Sequence, residues 1–407
     1  MKCNSCGHKK LKLILDLGAH IPSNFYLNNI NNFRNKKLPL RVYVCEKCWL
    51  VQIEDYIKGN ELFLKDYAYL SGISKTWLEH CLKFQKYCSK NFNLKKNDKI
   101  LEIASNDGTL LKYFHDKKYD VLGIEPTTST AKIAKKNGIK TLIKFFTYSE
   151  SKKLKKKYKN FRLIIANNVI AHVDDIKDFM RGLSHLSNKE TIISIEFQYI
   201  VNLIRNNQFD TVYHEHFYYY SLISFNNLVE QFNLKIFDVK KINTHGGSLR
   251  IFLCKKDNKI KISSNTYLLK NYERKIGVNN IKFYLLFSKK IQNLRNNFQN
   301  YIKILKNKGK TIYAYGAAAK GNTFLNYMDL SSDDIDIIMD KNEYKIGKIS
   351  PGGLIKIIKP SILQLKKPDY VLILAWNLKN EIINDLKNNY DYKNKFIISI
   401  PKLKIIS

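Results

Sequence analysis

The sequence lacks any apolar run long enough to cross a membrane. Its longest apolar stretches, such as residues 370–376, have the length of a strand, whereas a spanning helix needs about 20 apolar residues. Residues 1–6 contain no apolar signal segment either. We therefore expect a cytoplasmic protein that has no membrane partner.

Acidic residues are scarce: 35 Asp and Glu stand against 70 Lys and Arg, which gives a net charge of +35. The basic residues are spread along the whole chain, and runs such as 152–157 are typical of a solvated helix face. No recognised RNA-binding module accompanies them, so we expect no nucleic-acid partner. A diffuse basic surface instead helps to attract an anionic substrate such as a nucleotide diphosphate.

No low-complexity linker divides the chain, yet a length of 407 residues suggests two or three domains. With 44% hydrophobic and 13% aromatic residues, the chain can bury sizeable cores. Two segments alternate strand and helix patterns, which predicts two α/β units. Residues 255–308 between them have a long, polar, helical pattern, and residues 16–24 form a turn-rich stretch.

Seven cysteines occur, and four of them form two Cys-x-x-Cys pairs, Cys3 with Cys6 and Cys45 with Cys48. In a cytoplasmic chain such pairs favour metal binding over disulfides. Two knuckles close one tetrahedral zinc site with four thiolates, which leaves no open position for catalysis. We therefore predict a structural Zn²⁺ ion; the alternatives are a redox motif and chance.

The first α/β unit begins at residues 99–111 with an apolar strand, a small polar turn and a helix. A dinucleotide fingerprint would need Gly-x-Gly-x-x-Gly, and this turn contains only Gly108. The next strand ends at Glu125, which is suited to accept hydrogen bonds from both ribose hydroxyls. The Glu-x-x-x-Asn-Asp-Gly pattern resembles the first motif of class I S-adenosylmethionine-dependent methyltransferases. Ala104 stands where that motif usually has glycine, so we expect the loop to lie slightly further from the cofactor.

A further strand pattern, residues 161–173, ends in polar side chains. Ligands in open α/β sheets lie at the carboxyl ends of strands, so Asn167, Asn168 and His172 are placed for function. A lone histidine at such a position is more often merely satisfied by its neighbours.

Two imidazoles, a carboxylate and a phenol lie within residues 213–216. Such a cluster can move protons near neutral pH, because the unperturbed pKa of histidine is about 6.5. The alternatives are a structural polar cluster with stacked aromatics and two of the ligands of a metal ion.

The second α/β unit begins at residues 311–323 with a strand, a small-residue turn and the start of a helix. This arrangement can cradle a phosphate group, and Lys320 supplies a point charge. A tight turn that needs small residues for packing explains the same residues equally well.

These features, in this order, resemble the sugar C-methyltransferase family, whose members methylate carbon 3 of deoxysugar nucleotides. The resemblance covers nearly the whole chain and rests on the two zinc knuckles and on residues 102–108, 167–172, 213–216, 245–250, 316–322 and 376–377. It implies an α/β protein with a class I methyltransferase Rossmann-like domain, a second Rossmann-like C-terminal domain and a small N-terminal zinc-binding module. We expect the zinc-binding module at 1–65, the methyltransferase domain at 66–255, and a helical connection with the nucleotide-sugar-binding domain at 256–407.

The resemblance implies S-adenosylmethionine-dependent methylation at C3, next to the ketone of a dTDP-linked 4-keto-6-deoxy sugar, in bacterial surface-glycan or secondary-metabolite biosynthesis. His216 is the implied base that forms an enolate, and Glu215 orients or polarises its neighbours. Tyr213, His172 and Tyr67 contact the keto sugar or stabilise the enolate. Tyr69 fits the Tyr-x-Tyr pattern as well as Tyr67 does, and ordinary half-buried aromatics have the same spacing.

Further contacts are implied in the same way. The cofactor-binding residues are Glu102, Ala104, Asn106, Asp107, Gly108, Glu125, Asn167 and Asn168. The substrate-binding residues are Tyr69, His245, Arg250, Gly316, Lys320, Asn322, Asp340, Trp376 and Asn377. Two alternatives stay open: O-methylation of another sugar acceptor by the same fold, and a catalytically inactive nucleotide-sugar-binding homologue. We expect a monomer or a weak homo-oligomer.

Overall fold

The structure is a computed structural model that describes residues 1–29, 37–54, 56–57, 71–73 and 75–407, without the side chains of Ile73, Lys75 and His245. The strands of this part of the chain are β1 Leu11–His20, β2 Leu38–Cys45, β3 Val51–Ile53, β4 Lys99–Ile103, β5 Asp120–Ile124, β6 Thr141–Leu142, β7 Leu163–Asn167, β8 Ile192–Gln198, β9 Tyr218–Tyr219, β10 Leu234–Ile242, β11 Ser248–Lys255, β12 Ile312–Tyr315, β13 Ile337–Met339, β14 Ile357–Ile358, β15 Tyr370–Ile373, β16 Lys395–Ile398 and β17 Lys404–Ile406.

The α-helices of the same residues are α1 Lys75–Asn91, α2 Thr109–His115, α3 Thr128–Lys136, α4 Tyr148–Tyr158, α5 Ile176–Leu186, α6 Ile200–Arg205, α7 Leu222–Val229, α8 Ser264–Lys275, α9 Ile281–Asn307, α10 Ala319–Tyr327 and α11 Lys379–Tyr390. Among these helices none combines the length and the apolar character that crossing a membrane requires. The strands form three sheets, and one hydrophobic cluster contains residues from all three of them.

The N-terminal sheet has the order β1-β2-β3-β9 and is antiparallel throughout. Its last strand comes from the middle of the chain, so distant segments build this sheet together. β1 continues through residues 16–20, which we predicted to be turn-rich, and that prediction was wrong there. The turn residues form an irregularity inside the strand instead: Gly18 has a φ of +85° and its N–H donates to Asp16 Oδ1 at 2.9 Å.

The middle sheet has the order β10-β11-β8-β7-β4-β5-β6. Strands β4 to β8 are parallel, and β11 runs antiparallel to both of its neighbours. The consecutive residues Ile100 and Leu101 of β4 belong to two different hydrophobic clusters, so both faces of the sheet are covered. Because β4 pairs with both β5 and β7, the strand order reverses at β4, and its carboxyl end is where such sheets hold ligands.

The C-terminal sheet has the order β14-β13-β12-β15-β16-β17, with β17 antiparallel and the other strands parallel. Its order reverses at β12, which precedes the small-residue turn at Gly316. The sequence pattern therefore predicted two α/β units correctly. The residue bounds of the three domains stay a prediction.

The helical pattern of residues 255–308 corresponds to α8 and α9. α9 begins after Asn280, whose side chain accepts a hydrogen bond from the N–H of Lys282 at 3.0 Å. Its buried residues recur at intervals of three or four: Tyr284, Phe287, Ile291, Leu294, Phe298, Ile302 and Leu305. This stripe packs into the shared core, which explains why so polar a segment forms one long helix.

Candidate active site

A cavity of about 720 Å³ lies among residues of all three parts of the chain. It includes Asn24 after β1, Glu102 in β4, Asn167 at the end of β7, and Lys320 in the first turn of α10. The cavity therefore contains residues from the carboxyl end of β4 and the N-terminus of the first helix after β12. These are the places where the two parallel sheets are expected to bind ligands.

The four paired cysteines meet in one cluster, as predicted. Their sulfur atoms all lie within 4.8 Å of one another. Cys3 Sγ is 3.4 Å from Cys48 Sγ, and Cys6 Sγ is 3.6 Å from Cys45 Sγ. A tetrahedral site with Zn–S bonds of about 2.3 Å has sulfur atoms about 3.8 Å apart, so the cluster fits a structural zinc ion.

The turn after β4 keeps the shape of a glycine-containing loop. Ala104, Asn106 and Gly108 have φ values of +58°, +50° and +78°. For an L-residue the left-handed conformation costs about 1–2 kcal/mol, which Ala104 tolerates here. Ala104 and Asn106 line the cavity, so the alanine does not remove the turn from the predicted cofactor site.

Three carboxylates cluster beside this turn. Glu102 and Glu125 are 7% and 5% exposed. Burial, with the charges of Asp107 and Glu125, raises the pKa of Glu102 well above its usual value, and burial also raises the pKa of Glu125. Within the described residues Glu102 Oε2 is buried without a hydrogen-bond partner. A cationic ligand would reduce the mutual repulsion, so the cluster fits positively charged S-adenosylmethionine.

Ser71 and Gly72, which precede α1, contact the same turn. The N–H of Ser71 donates to Asn106 Oδ1 at 3.1 Å, and the N–H of Gly72 donates to Asp107 Oδ2 at 2.8 Å. Glu125 Oε2 accepts from the N–H of Asn106 at 2.9 Å. These bonds orient the side chains, and their contacts with a bound cofactor stay a prediction.

Asn167 and Asn168 lie at the next strand end and line the cavity. Asn168 has a φ of +56°, and its N–H donates to the carbonyl oxygen of Glu196 at 2.7 Å. Asn167 Oδ1 accepts from Ser194 Oγ at 3.3 Å. Both contacts go to β8, so pairing between β7 and β8 positions the two amides.

His216 is held with its Nε2 atom able to accept a proton. Its Nδ1 atom lies 3.0 Å from the carbonyl oxygen of Thr211, which can only accept, so Nδ1 carries a hydrogen. Nε2 therefore has a lone pair, and it accepts from the hydroxyl of Tyr213 at 2.8 Å. His216 and Tyr213 are half-buried and line the cavity. A fixed tautomer and a basic nitrogen at a cavity are what a general base requires.

The neighbouring histidines differ in their surroundings. His214 is buried, and its Nε2 lies 3.2 Å from the carbonyl oxygens of Leu38 and Pro39 in the N-terminal sheet. His172 lines the cavity with its ring centroid 4.6 Å from that of His216. Burial lowers the pKa of His214 and that of His172 to about 4, so both are neutral near pH 7. His214 therefore has a structural contact, whereas His172 and His216 share the cavity.

Glu215 contacts the N-terminal part of the chain. Both of its carboxylate oxygens lie 2.7 Å from Asn24 Nδ2, and the residue is 1% exposed. Lys345 also lines the cavity, and its Nζ donates to the carbonyl oxygen of Ala317 at 2.8 Å. Burial alone would lower the pKa of Lys345, but Tyr26 and Asp340, with a smaller contribution from Glu215, outweigh it and raise that pKa. Our sequence reasoning missed Asn24 and Lys345, because both lie in polar stretches without a local motif.

The first turn of α10 forms the part of the cavity that belongs to the C-terminal sheet. Gly316 has a φ of +96°, and a Cβ atom there would lie 3.1 Å from the side chain of Ala375, so the turn favours glycine. Lys320 lines the cavity, and its Nζ donates to Asn377 Oδ1 at 2.8 Å. The same Nζ lies 4.9 Å from the ring centroid of Trp376. These four predicted residues are therefore adjacent, although only Lys320 lines the cavity within the described part of the chain.

Asp210 joins the segment before His216 to this part of the cavity. It is fully buried, and its Oδ2 accepts from Trp376 Nε1 at 2.6 Å. Burial raises the pKa of Asp210 to about 7, although Lys320 and Trp376 partly offset that effect. Burial lowers the pKa of Lys320, and the charge of Asp210 opposes that shift. We did not single out Asp210 from the sequence, where a carboxylate just before the His216 cluster was the available signal.

Two predicted substrate residues make internal contacts. Asn322 is fully buried, and its Nδ2 donates to the carbonyl oxygen of Ser23 at 2.6 Å. Asp340 Oδ2 accepts from the N–H of Ala317 at 2.7 Å. Neither lines the cavity described above. Their geometry supports roles in positioning the turn, and a contact with substrate stays a prediction.

Arg250 lies on β11 against a buried carboxylate and does not line the described cavity. Its Nε and Nη2 atoms lie 3.1 and 2.7 Å from Glu196 Oε2, and Nη2 lies 2.8 Å from His80 Nε2. Burial alone would raise the pKa of Glu196, but Arg250 and His80 outweigh it and lower that pKa to about 2. The guanidinium joins β11, β8 and α1, so this placement does not support the predicted substrate contact.

Three predicted side chains cannot be placed. Tyr67 and Tyr69 lie outside the described residues, as does the side chain of His245. Their predicted roles stay predictions.

Comparisons with known proteins cover the whole chain. Residues 3–63 match a zinc-binding domain, residues 78–239 a methyltransferase domain, and residues 243–401 the C-methyltransferase C-terminal domain. The C-methyltransferase NovU of Streptomyces niveus is 30% identical over 409 residues, which are 100% of this chain and 97% of NovU.

Solved structures similar to parts of the chain include the PH0226 protein of Pyrococcus horikoshii OT3, with 12% identity, a TM-score of 0.38, and 46% of this chain and 95% of that chain covered. Another is the magnesium protoporphyrin IX methyltransferase of Synechocystis PCC 6803, with 9% identity, a TM-score of 0.33, and 44% and 78% covered. The full-length match to NovU, together with the three domain matches, shows that this chain belongs to the C-methyltransferase family and is an S-adenosylmethionine-dependent methyltransferase with an N-terminal zinc-binding module.

Proposed function

We propose that this C-methyltransferase methylates a carbon next to the ketone of a nucleotide-linked 4-keto-6-deoxy sugar, with C3 as the position that the resemblance implies. The observation that supports this most directly is the fixed tautomer of His216 in the cavity that six of the eight predicted cofactor residues, all but Asp107 and Gly108, also line. A carbon acid needs a positioned base, since its proton leaves only when the resulting enolate is stabilised.

In the proposed reaction His216 Nε2 removes the proton, and the electrons of the C–H bond move into the enolate. In this proposal the hydroxyl of Tyr213, which lies 2.8 Å from that nitrogen, transfers its hydrogen bond to the enolate oxygen. His172 is neutral near pH 7 and therefore does not repel the proton that His216 acquires. Once the carbon carries its new methyl group, His216 releases this proton to solvent.

S-adenosylmethionine, when bound, supplies an electrophilic methyl group on a sulfonium. Glu102, Asn106 and Glu125 would hold it, because they line the cavity and provide negative charge and hydrogen-bond acceptors. The zinc ion would be held by four thiolates and would stabilise the N-terminal sheet without taking part in the reaction. Because these thiolates must stay reduced, we place the reaction in the cytoplasm.

Two cations support an anionic part of the substrate. Lys320 and Lys345 both line the cavity, and Lys320 lies in the first turn of α10. Helix N-termini favour anions through their free N–H groups and the helix dipole. We therefore place the diphosphate of the nucleotide, dTDP in the implied substrate, against these lysines, with the sugar ring towards His216.

The alternatives require different features. O-methylation needs a base beside a hydroxyl group and no ketone, whereas a binding protein needs no base. Ala104 was the sequence feature that favoured loss of activity. Its glycine-like conformation weakens that argument, because the turn keeps its position at the cavity.

Hydrogen exchange in D₂O tests the proposal directly. A dTDP-4-keto-6-deoxy sugar is incubated with the protein, with and without S-adenosylmethionine, and the products are followed by mass spectrometry and NMR. We expect deuterium at C3 without the cofactor and a methyl group on the same carbon with it. NMR separates C3 from C5, which is also next to the ketone. A protein-free sample measures spontaneous exchange.

His216→Asn should lose exchange and methylation but still bind S-adenosylmethionine. The matched control is His115→Asn, which changes an exposed histidine in α2 and should keep both activities. A methyl group on oxygen would support O-methylation instead. Absence of both reactions in a protein that binds the cofactor would show that the sugar assignment is wrong.

A further inference from the structure

The segment after β1 carries a residue of the N-terminal part into the cavity. The carbonyl oxygen of Ser23 accepts from Asn322 Nδ2 at 2.6 Å. The backbone of Leu27 exchanges two hydrogen bonds with that of Ile349, at 3.1 and 2.8 Å. These contacts hold the segment against the C-terminal part on both sides of Asn24, which lines the cavity.

The orientation of the Asn24 amide is determined by Glu215. Both oxygens of this carboxylate lie 2.7 Å from Asn24 Nδ2, and a carboxylate accepts hydrogen bonds without donating any. The amide nitrogen must therefore face Glu215, and the amide oxygen, Oδ1, is the atom turned away from this carboxylate. Asn24 Oδ1 has no hydrogen-bond partner among the described residues, and the atom is not fully buried, so a ligand can reach it.

Glu215 is itself restrained. It is adjacent in sequence to His216, and the cavity lysine Lys345 lies close enough for their charges to interact. An amide held by this carboxylate therefore lines the same cavity as the proposed base and presents an acceptor with a defined direction. In the proposed substrate, a sugar hydroxyl is a donor that such an acceptor can bind.

We propose that Asn24 is a specificity-determining residue whose Oδ1 accepts a hydrogen bond from a ring hydroxyl of the sugar. This inference rests on the proposed function and deepens it, because it makes the zinc-binding module part of the substrate site. A site with a committed acceptor discriminates against an analogue that lacks the matching hydroxyl, since the acceptor then stays unpaired.

The test combines variants of the enzyme with variants of the substrate. The value of kcat/KM is measured for the 4-keto-6-deoxy sugar nucleotide and for analogues in which each ring hydroxyl is replaced in turn by hydrogen. We expect the unsubstituted protein to lose about tenfold on one analogue, the size of one hydrogen bond of about 1.4 kcal/mol. Asn24→Ala should lose activity on the parent sugar but show less than about a twofold further loss on that same analogue.

The matched control is Asn28→Ala, which changes an exposed asparagine in the same segment and should retain the full discrimination. Zinc content, the unfolding temperature and the Kd for S-adenosylmethionine should be unchanged in Asn24→Ala. A weakened cofactor Kd with unchanged discrimination would assign Oδ1 to the cofactor and overturn the proposal.

Three further outcomes also overturn it. Equal losses for the unsubstituted protein and Asn24→Ala on every analogue would show that no hydroxyl couples to Asn24. If the unsubstituted protein has the same kcat/KM for every analogue as for the parent sugar, no ring hydroxyl is recognised. This result is obtained without any variant, so it does not depend on whether Asn24→Ala folds. If the unsubstituted protein methylates none of the sugars, the proposed function itself is wrong and the inference fails with it.

Discussion

Replacing Arg250 by methionine tests the buried ion pair that joins three elements of the middle sheet. Glu196 is 0% and Arg250 6% exposed, and Nε and Nη2 of the guanidinium lie 3.1 and 2.7 Å from Glu196 Oε2. His80 Nε2 lies 3.1 Å from the same oxygen, and Thr244 Oγ1 donates to Oε1 at 3.1 Å. Methionine keeps an unbranched side chain but removes the charge and both donors.

The expected loss in the free energy of unfolding depends on the contacts that Glu196 retains in Arg250→Met. Removing one partner of a buried ion pair costs about 3–5 kcal/mol, because the other charge stays buried without compensation. Since His80 and Thr244 still contact Glu196, we expect the lower end, about 3 kcal/mol, in the free energy of unfolding. Arg250→Met combined with Glu196→Gln leaves no buried charge at this position. The double variant should therefore lose at least about 1.5 kcal/mol less than the sum of the two single variants.

Urea unfolding at constant protein and zinc concentration measures these differences, and hydrogen exchange of the β8 and β11 amides shows whether the loss lies in the middle sheet. The matched control is Arg41→Met, which removes an exposed pair with Asp16 and should leave the unfolding midpoint unchanged. A loss below about 1 kcal/mol for Arg250→Met, or additive single variants, would refute the reasoning.

Three further predictions concern acid, zinc and substrate charge. The pKa of Glu196 is lowered to about 2, so its ionised form stabilises the fold above the ordinary pKa of 4.5, and this contribution is lost as the pH falls towards 2. The free energy of unfolding should therefore depend less on pH between pH 7 and pH 2.5 in Glu196→Gln than in the unsubstituted protein. The same pH dependence in both proteins would contradict this. Removing zinc with a chelator should unfold the N-terminal sheet and abolish activity, and zinc should restore both, as circular dichroism, metal content and turnover will show; full activity of the metal-free protein would contradict a structural role. Lys345→Met should raise KM for the sugar nucleotide about tenfold with a smaller change in kcat, because one partner of the diphosphate is lost; exposed Lys356→Met is the control, and an unchanged KM would exclude the assignment.

The zinc site and the cofactor turn could be predicted because their geometry is local. Two cysteines three positions apart form a knuckle wherever the chain turns, so the pairing of two knuckles needs little long-range information. The strand, turn and helix around Gly108 likewise follow from a short pattern of apolar, small and polar residues. The alternation of strands and helices then predicts two parallel sheets, and the positions where their strand order reverses explain where the cavity lies.

Local pattern also misled us where the fold could absorb it. The turn residues around Gly18 are typical of a loop, yet they form an irregularity within β1, because pairing with β2 on both sides continues the strand. Arg250 follows a glycine turn, and its substrate contact stays a prediction, but the structure places its guanidinium against Glu196 on the adjacent strand. A partner on another strand leaves no trace in local sequence.

The sequence by itself therefore predicted most of the elements, the cysteine cluster and part of the set of residues that line the cavity. The resemblance implied His216 as the base, but only the tertiary structure shows how the two histidines differ: His214 faces the backbone of the N-terminal sheet, whereas His216 lines the cavity. It also brought Asn24 and Lys345 to the cavity from opposite ends of the chain. The physical reason is that a site between sheets is defined by contacts between distant segments, and such contacts depend on packing that no short pattern encodes.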